Sequence, residues 1–219
     1  MLPRVLEAEV MDTEAEARDY DAMDFAEVNR AFVIDFRRLW NGSAPVLDAC
    51  TGTARIPIEL CRQCPLVDVV AVDLAGHMLT LARHNVEVAG LATRIHLQKA
   101  DAKALPFPAA HFGAVICNGS VHHIPEPFAC FAEMHRVCAP GGTVFVRDHL
   151  RPPSESELQR LLKTHAAEAN DHQRAMFAAS LRASLTADEV REAVGRLGCP
   201  PETVQQTSDR HWTWAAIRR

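Results

Sequence analysis

Between Val46 and Asp148, five short apolar runs alternate with segments of helical period, and that alternation leaves few folds open. The runs start at Val46, Leu66, Ile95, Phe112 and Thr143. Between them Ile56, Ile58, Leu60 and Cys61, then Met78, Leu79, Ala82 and Val86, then Phe128, Phe131, Met134 and Val137 follow a helical pattern. Parallel neighbours need a crossover, usually a helix, so the pattern predicts an α/β fold with an open parallel sheet wound on both faces. Leu66 to Val72 is almost unbroken and β-branched, as a strand buried on both faces should be. Ile95 to Asp101 alternates apolar and polar residues and belongs nearer an edge.

In such a sheet, ligands bind beyond the carboxyl ends of the strands. The five runs stop at Asp48, Asp73, Asp101, Asn118 and Asp148, and a row of polar groups at those points argues for a site. After Asp48 the residues stay small through Ala54, and a helical pattern begins at Arg55. VLDACTGTAR (46–55) is therefore a strand turning tightly into a helix. Small side chains let backbone N–H groups approach a ligand there, and the helix start adds unpaired donors with partial positive charge. Asp73 follows Ala54 by 19 residues, the remove at which a doubly wound fold hydrogen-bonds a ribose.

A chain of 219 residues can build one large core but is short for two catalytic domains, so one domain is expected. Its parts are an N-terminal helical cap (1–44), a central core (45–150), and lid helices with a hairpin (151–219). In the cap, Phe25, Val28, Phe32, Phe36 and Leu39 recur at helical spacing, and Tyr20, the single tyrosine, is either a seam residue or a ligand contact. Ala139 to Gly142 is expected as a turn before the fifth strand. A helix is expected from Ser154 to about Asn170, and Thr186 with Glu189 makes a capping box. Thr203–Thr207 and His211–Ile217 read as a hairpin with Trp212, Trp214 and Ala216 on one face.

A net charge of −5 supplies no broad basic field, so nucleic acid is not an expected partner and a small molecule is. No apolar run reaches membrane-spanning length and the acidic, broken start is unlike a secretory signal, so no integral membrane contact and a cytoplasmic location are expected. Seven cysteines, mostly inside apolar runs, predict free thiols. Cys61 and Cys64 form a lone CxxC that closes a helix, without the second pair a structural zinc site needs.

These stretches together resemble class I S-adenosylmethionine-dependent methyltransferases of the small-molecule type, similar to the ubiquinone and menaquinone biosynthesis enzymes. The matching segments are VLDACTGTA (46–54), VVAVDLAGHML (69–79), ADAKALPFPAAHFGAVICNGSVHHI (100–124) and EMHRVCAPGGTVFVRD (133–148). The resemblance implies a Rossmann-like three-layer sandwich whose seven-stranded, mostly parallel sheet ends in an antiparallel hairpin, with S-adenosylmethionine as cofactor. It implies that Asp48, Thr51, Gly52 and Thr53 hold the methionine end of the cofactor, that Asp73 takes the ribose hydroxyls and that Leu74 packs on the adenine. Asp101 would accept from the adenine amine, with Ala102 offering its backbone, and Asn118 would close the site beside the sulfonium. Cys50 and Ala54 stand where the family has glycine, which either narrows the approach of the cofactor carboxylate or shifts the backbone. Arg55 either pairs with that carboxylate or, as preferred here, is a solvated helix residue.

His122 and His123 lie on the loop that covers the methyl group in this family. Either is a candidate base or acceptor-orienting group, His123 matching the more regular position. Asp148 and His149 are candidates to face the acceptor. No metal is expected, because adjacent histidines do not converge on one ion without carboxylates placed beside them. The lid pattern, with Phe177 and Leu181 four apart, suits a hydrophobic or aromatic acceptor and equally a packed lid; the oligomeric state is left open. Two other readings compete: a cofactor- or partner-binding protein without catalysis, motivated by Cys50 and Ala54, and a nicotinamide oxidoreductase, disfavoured because GxGxxG and a Tyr-xxx-Lys pair are absent.

Overall fold

The computed structural model describes residues 1–7, 12–23 and 25–219. Its strands are β1 (Val46–Ala49), β2 (Val69–Asp73), β3 (Ile95–Lys99), β4 (Phe112–Asn118), β5 (Cys138–His149), β6 (Val204–Gln206) and β7 (His211–Ile217). They form one seven-stranded sheet in the order β3-β2-β1-β4-β5-β7-β6. β1 pairs in parallel with both β2 and β4, β2 pairs in parallel with β3, and β6 runs antiparallel to β7. The mostly parallel sheet with a closing hairpin is the one expected, and β3 takes the edge that its alternating sequence implies. The flanking helices are α1 (Glu14–Asp21), α2 (Ala26–Leu39), α3 (Arg55–Gln63), α4 (Gly76–Val88), α5 (Phe128–Val137), α6 (Glu155–His165), α7 (Asp171–Ala183) and α8 (Ala187–Arg196).

The stretch from Asp12 to Trp40 holds a helix pair, α1 and α2, as its spacing allows. Other boundaries depart from the sequence reading. The helix expected to reach about Asn170 ends at His165, where Ala166 caps it. β2 begins at Val69, because Val67 N–H closes a turn onto the Cys64 carbonyl and leaves Leu66 95% exposed. Ala139–Gly142, expected as a turn, lies inside β5: Gly141 N–H donates to the Arg218 carbonyl and Arg218 N–H donates to that of Gly142, so the chain end past β7 captures these residues in the ladder.

The chain divides into two compact units. One comprises Val10–Asn118, Phe128–Val146 and Ala215–Arg219. Its core joins Phe32 and Phe36 of α2, Ile56, Ile58 and Leu60 of α3, Val69 of β2, Ile116 of β4 and Phe145 of β5. Phe32 meets Phe145 edge-on with ring centroids 5.2 Å apart. Each such buried side chain contributes about 1.5–3 kcal/mol, and together they fix where β1 ends and α3 begins.

The other unit comprises Met1–Glu9, Gly119–Pro127 and Arg147–Trp214. Leu158, Leu161 and Leu162 of α6 pack on Leu181 of α7, with Leu2, Phe177 and Ala178 at the margin. Trp212 and Trp214 of β7 are fully buried, as their alternation predicts. The capping box of α8 is complete: Thr186 Oγ1 accepts from Glu189 N–H, and the Glu189 carboxylate accepts Thr186 N–H at 2.7 Å.

Candidate functional site

In the first unit, β1 runs into α3 through three left-handed residues at alternate positions, Cys50 (φ 63°), Gly52 (φ 54°) and Ala54 (φ 63°). That conformation costs a residue with a Cβ about 1–2 kcal/mol. Neither side chain shifts the backbone out of it. Thr51 N–H donates to the Val72 carbonyl at 2.8 Å and Ala54 N–H to that of Thr51 at 3.0 Å, which holds the turn against β2. The Cys50 thiol hydrogen-bonds with those of Cys117 and Cys130, and no disulfide joins any of the seven cysteines.

The parallel pairing places the predicted polar residues at neighbouring strand ends. Asp48, in β1, is 2% exposed, and its Oδ2 has no hydrogen-bond partner among the described residues; burial pushes its carboxyl up to about 8 against the Thr51 hydroxyl. Thr53 Oγ1 is likewise buried without a partner. Asp73 ends β2, and its carboxylate spans two turns: Oδ2 accepts Gly52 N–H at 2.7 Å and Oδ1 accepts Ala75 N–H at 2.9 Å. Burial outweighs those amides and pushes Asp73 up to about 6. Leu74 follows, half-buried. Past β3, Asp101 accepts Lys103 N–H at 2.9 Å and pairs with its ammonium at 3.0 Å, next to buried Ala102. Asn118 ends β4.

Helix α1 completes this corner. A Cβ added at Gly52 would lie 3.6 Å from Tyr20 Cε1, so the tyrosine ring covers the turn. Burial, reinforced by Asp73, Asp48 and Asp21, pushes its phenol up to about 12. Arg55 is an exposed residue of α3, as preferred from sequence, and it pairs with Asp21 at 2.9 Å. Asp21 Oδ1 also accepts from Asn85 Nδ2, which in turn donates to the Thr53 carbonyl. Sequence reasoning missed Asp21 and Asn85, for these partners lie 34 and 64 positions apart and no local spacing signals them.

In the second unit, His122 and His123 form a short 3₁₀ turn, Val121–His123. The Arg4 guanidinium fixes that turn by donating to the carbonyls of His122, Ile124 and Pro125. His122 is almost sealed, at 3% side-chain exposure, whereas His123 is 21% exposed. Asp148, proposed from sequence to face an acceptor, is committed elsewhere: Oδ1 sits 2.7 Å from His122 Nδ1 and accepts His149 N–H, and Oδ2 accepts His122 N–H at 2.8 Å. Burial would raise this carboxyl, but the His122 ring and the His149 amide hold it down at about 2. Burial would equally lower His122, and Asp148 and then Glu7 reverse that, leaving it raised. His149 is pushed down to about 3 by burial and by His122, and stacks on His211 with centroids 5.3 Å apart. Phe177 meets the His149 ring edge-on at 5.5 Å.

Residues 46–142 match the model of a methyltransferase domain family. A demethylmenaquinone methyltransferase of Thermus thermophilus is 37% identical over 108 residues, 49% of this chain and 48% of that protein. A ubiquinone/menaquinone biosynthesis C-methyltransferase of Geobacter sulfurreducens is 33% identical over 116 residues, 52% and 45% of the two chains. The chain thus spans about half the length of these relatives. Among solved structures, a SAM dependent methyltransferase from Aquifex aeolicus superposes with TM-score 0.70 at 16% identity, covering 94% of this chain and 99% of that one, and shares the fold. Residues 46–142 thus match a methyltransferase domain family, in a chain that shares the fold of the Aquifex structure and is similar in sequence to ubiquinone and menaquinone biosynthesis enzymes over about half its length.

Proposed function

We propose that this chain is a methyltransferase that binds S-adenosylmethionine and serves a small-molecule acceptor. The observation that carries the reading is the Asp73 carboxylate, held at the carboxyl end of β2 by two turn amides where a ribose would meet it, beside a buried Asp48 oxygen that lacks a partner. Carboxylate oxygens can accept further hydrogen bonds, so Asp73 is equipped for both ribose hydroxyls. Residues 45–150 would be the cofactor-binding core. Asp48, Thr51, Gly52 and Thr53 would hold the methionine end, Leu74 and Ala102 would line the adenine with Asp101 on its amine, and Asn118 would sit by the sulfonium. The cofactor supplies a methyl group already activated by positive sulfur. The chain's own residues then need to position the acceptor and exclude water, and a base is needed only where the acceptor must lose a proton.

His123 is our candidate for that base or for an acceptor-orienting group, with His122 beside it. The name of the Thermus relative and the apolar Phe177 support a hydrophobic or aromatic acceptor. No described helix is long and apolar enough to cross a membrane, and we place the protein in the cytoplasm. Calorimetric titration with S-adenosylmethionine and with NAD tests the reading. Binding of the first alone is expected, binding of NAD alone would overturn it, and binding of neither would favour a role without catalysis. A screen of small-molecule acceptors with labelled methyl donor then identifies the substrate.

A further inference from the structure

The carboxylate that sequence could not place beside the two histidines is Glu7. Its Oε2 lies 3.2 Å from His123 Nδ1 and 3.8 Å from His122 Nε2, and one ligand atom from each of the three residues falls within 4.8 Å of the others. Donors about 2.0–2.1 Å from a tetrahedral ion stand about 3.4 Å from one another, and 3.2 and 3.8 Å bracket that edge. The longer separation exceeds a hydrogen bond, so His122 Nε2 and the carboxylate face each other across a gap.

We infer that Glu7, His122 and His123 form a binding site for a divalent transition-metal ion of the zinc type. Two imidazoles and one carboxylate are a donor set that suits zinc and its first-row neighbours. The surroundings supply what such a site needs next. Asp148 Oδ1 at 2.7 Å from His122 Nδ1 keeps the proton on that nitrogen and turns the Nε2 lone pair toward Glu7, the carboxylate–histidine–metal arrangement. Ser180 donates to the other Glu7 oxygen at 3.1 Å, orienting the carboxylate. Three donors from the described residues leave one position for water or for an anionic oxygen of a ligand. Any part that position plays in methyl transfer rests on the function proposed above, whereas the metal site itself does not.

The full chain, stripped with a chelator and titrated with Co²⁺ in the absence of methyl donor, tests the site. One equivalent should bind with the intense visible absorption of four-coordinate cobalt, and Zn²⁺ should displace it. Glu7→Gln and His123→Ala should each weaken binding at least about tenfold. Asp148→Asn, which keeps all three donors, should weaken it about 10–100-fold. Because Glu7 and His123 are only half-buried, circular dichroism should show both variants folded. A cobalt spectrum unchanged from the aqueous ion, equal affinity in wild type and the two variants, or thiolate charge-transfer bands placing the ion on cysteine would each overturn the proposal. None of those results bears on the cofactor titration, which needs no metal.

Discussion

Asp48 and Asp148 are both strand aspartates, 2% and 1% exposed, yet the first carboxyl is pushed up to about 8 and the second is held at about 2. Burial opposes ionisation in both. The difference lies in partners: Asp148 has an imidazole and two amides at 2.7–2.8 Å, while Asp48 has the Thr51 hydroxyl and, among the described residues, no partner at Oδ2. The charge of Asp148 is thus used inside its own unit to hold His122. Asp48, pushed up to about 8, keeps its proton at neutral pH instead. A buried carboxyl given an imidazole and two amides is held ionised, and one given less stays neutral.

The strongest way to break this comparison is Asp148→Asn. It leaves the His122 ring without its counter-charge and should cost about 3–5 kcal/mol in urea unfolding at neutral pH, whereas Asp48→Asn should change stability by less than about 1 kcal/mol. Equal losses would mean that partners do not separate the two sites. Next in size, Asp73→Ala should weaken S-adenosylmethionine by about 1.5–3 kcal/mol in calorimetry, the range for hydrogen bonds to a charged group. Unchanged affinity would put the ribose elsewhere.

The third test is pH. Asp48 and Asp73 have folded values near 8 and 6, above their unfolded value near 3.8, so the folded chain retains protons that the unfolded chain has released. Their contribution to stability therefore declines as pH rises from about 4 through 8. A cationic ligand and hydroxyl donors favour the ionised carboxylates, so cofactor affinity should climb between pH 6 and 8 with proton release, visible as a buffer-dependent calorimetric heat. In the histidine region, where raised His122 and Glu7 share the sign of Asp48 and Asp73, Asp148, His149 and His211 have the opposite one. Asp148 stabilises above its unfolded value, and this support is lost as pH falls toward 2. His149 and His211, held at about 3 and 4, add a loss once pH drops below about 6.5. Acid unfolding that begins in the Val10–Asn118 unit would contradict this division; hydrogen exchange resolves the order.

The smallest effect is expected at the first turn. Cys50→Gly relieves left-handed strain of about 1–2 kcal/mol and loses about 0.5–1 kcal/mol to glycine's chain entropy, for a net gain of up to about 1.5 kcal/mol in thermal unfolding. A net loss would show that the thiol contacts with Cys117 and Cys130 outweigh the strain.

Much of the sheet was legible because burial on two faces writes itself as unbroken runs such as VVAV and FGAVIC, and an edge as the alternation of Ile95–Gln98. The capping box at Thr186 and the buried face of Trp212 and Trp214 were legible for the same local reason. Ala139–Gly142 misled because turn-forming residues were recruited by pairing with the chain end near Arg218, which lies far away in sequence. At the candidate site, strand ends could be read from where apolar runs stop. What holds them could not. Arg55 with Asp21, Asn85 with Thr53, and Glu7 with His123 are contacts of long range between ordinary polar residues, with no periodicity to announce them.

Asp73 carries a further consequence. Since its two oxygens grip the amides of Gly52 and Ala75, one side chain latches consecutive crossover loops together. Deleting it would slacken the turns as well as remove the acceptor proposed for the ribose. A cofactor fragment with no sugar at all, such as methionine, should therefore also bind more weakly once that latch is gone.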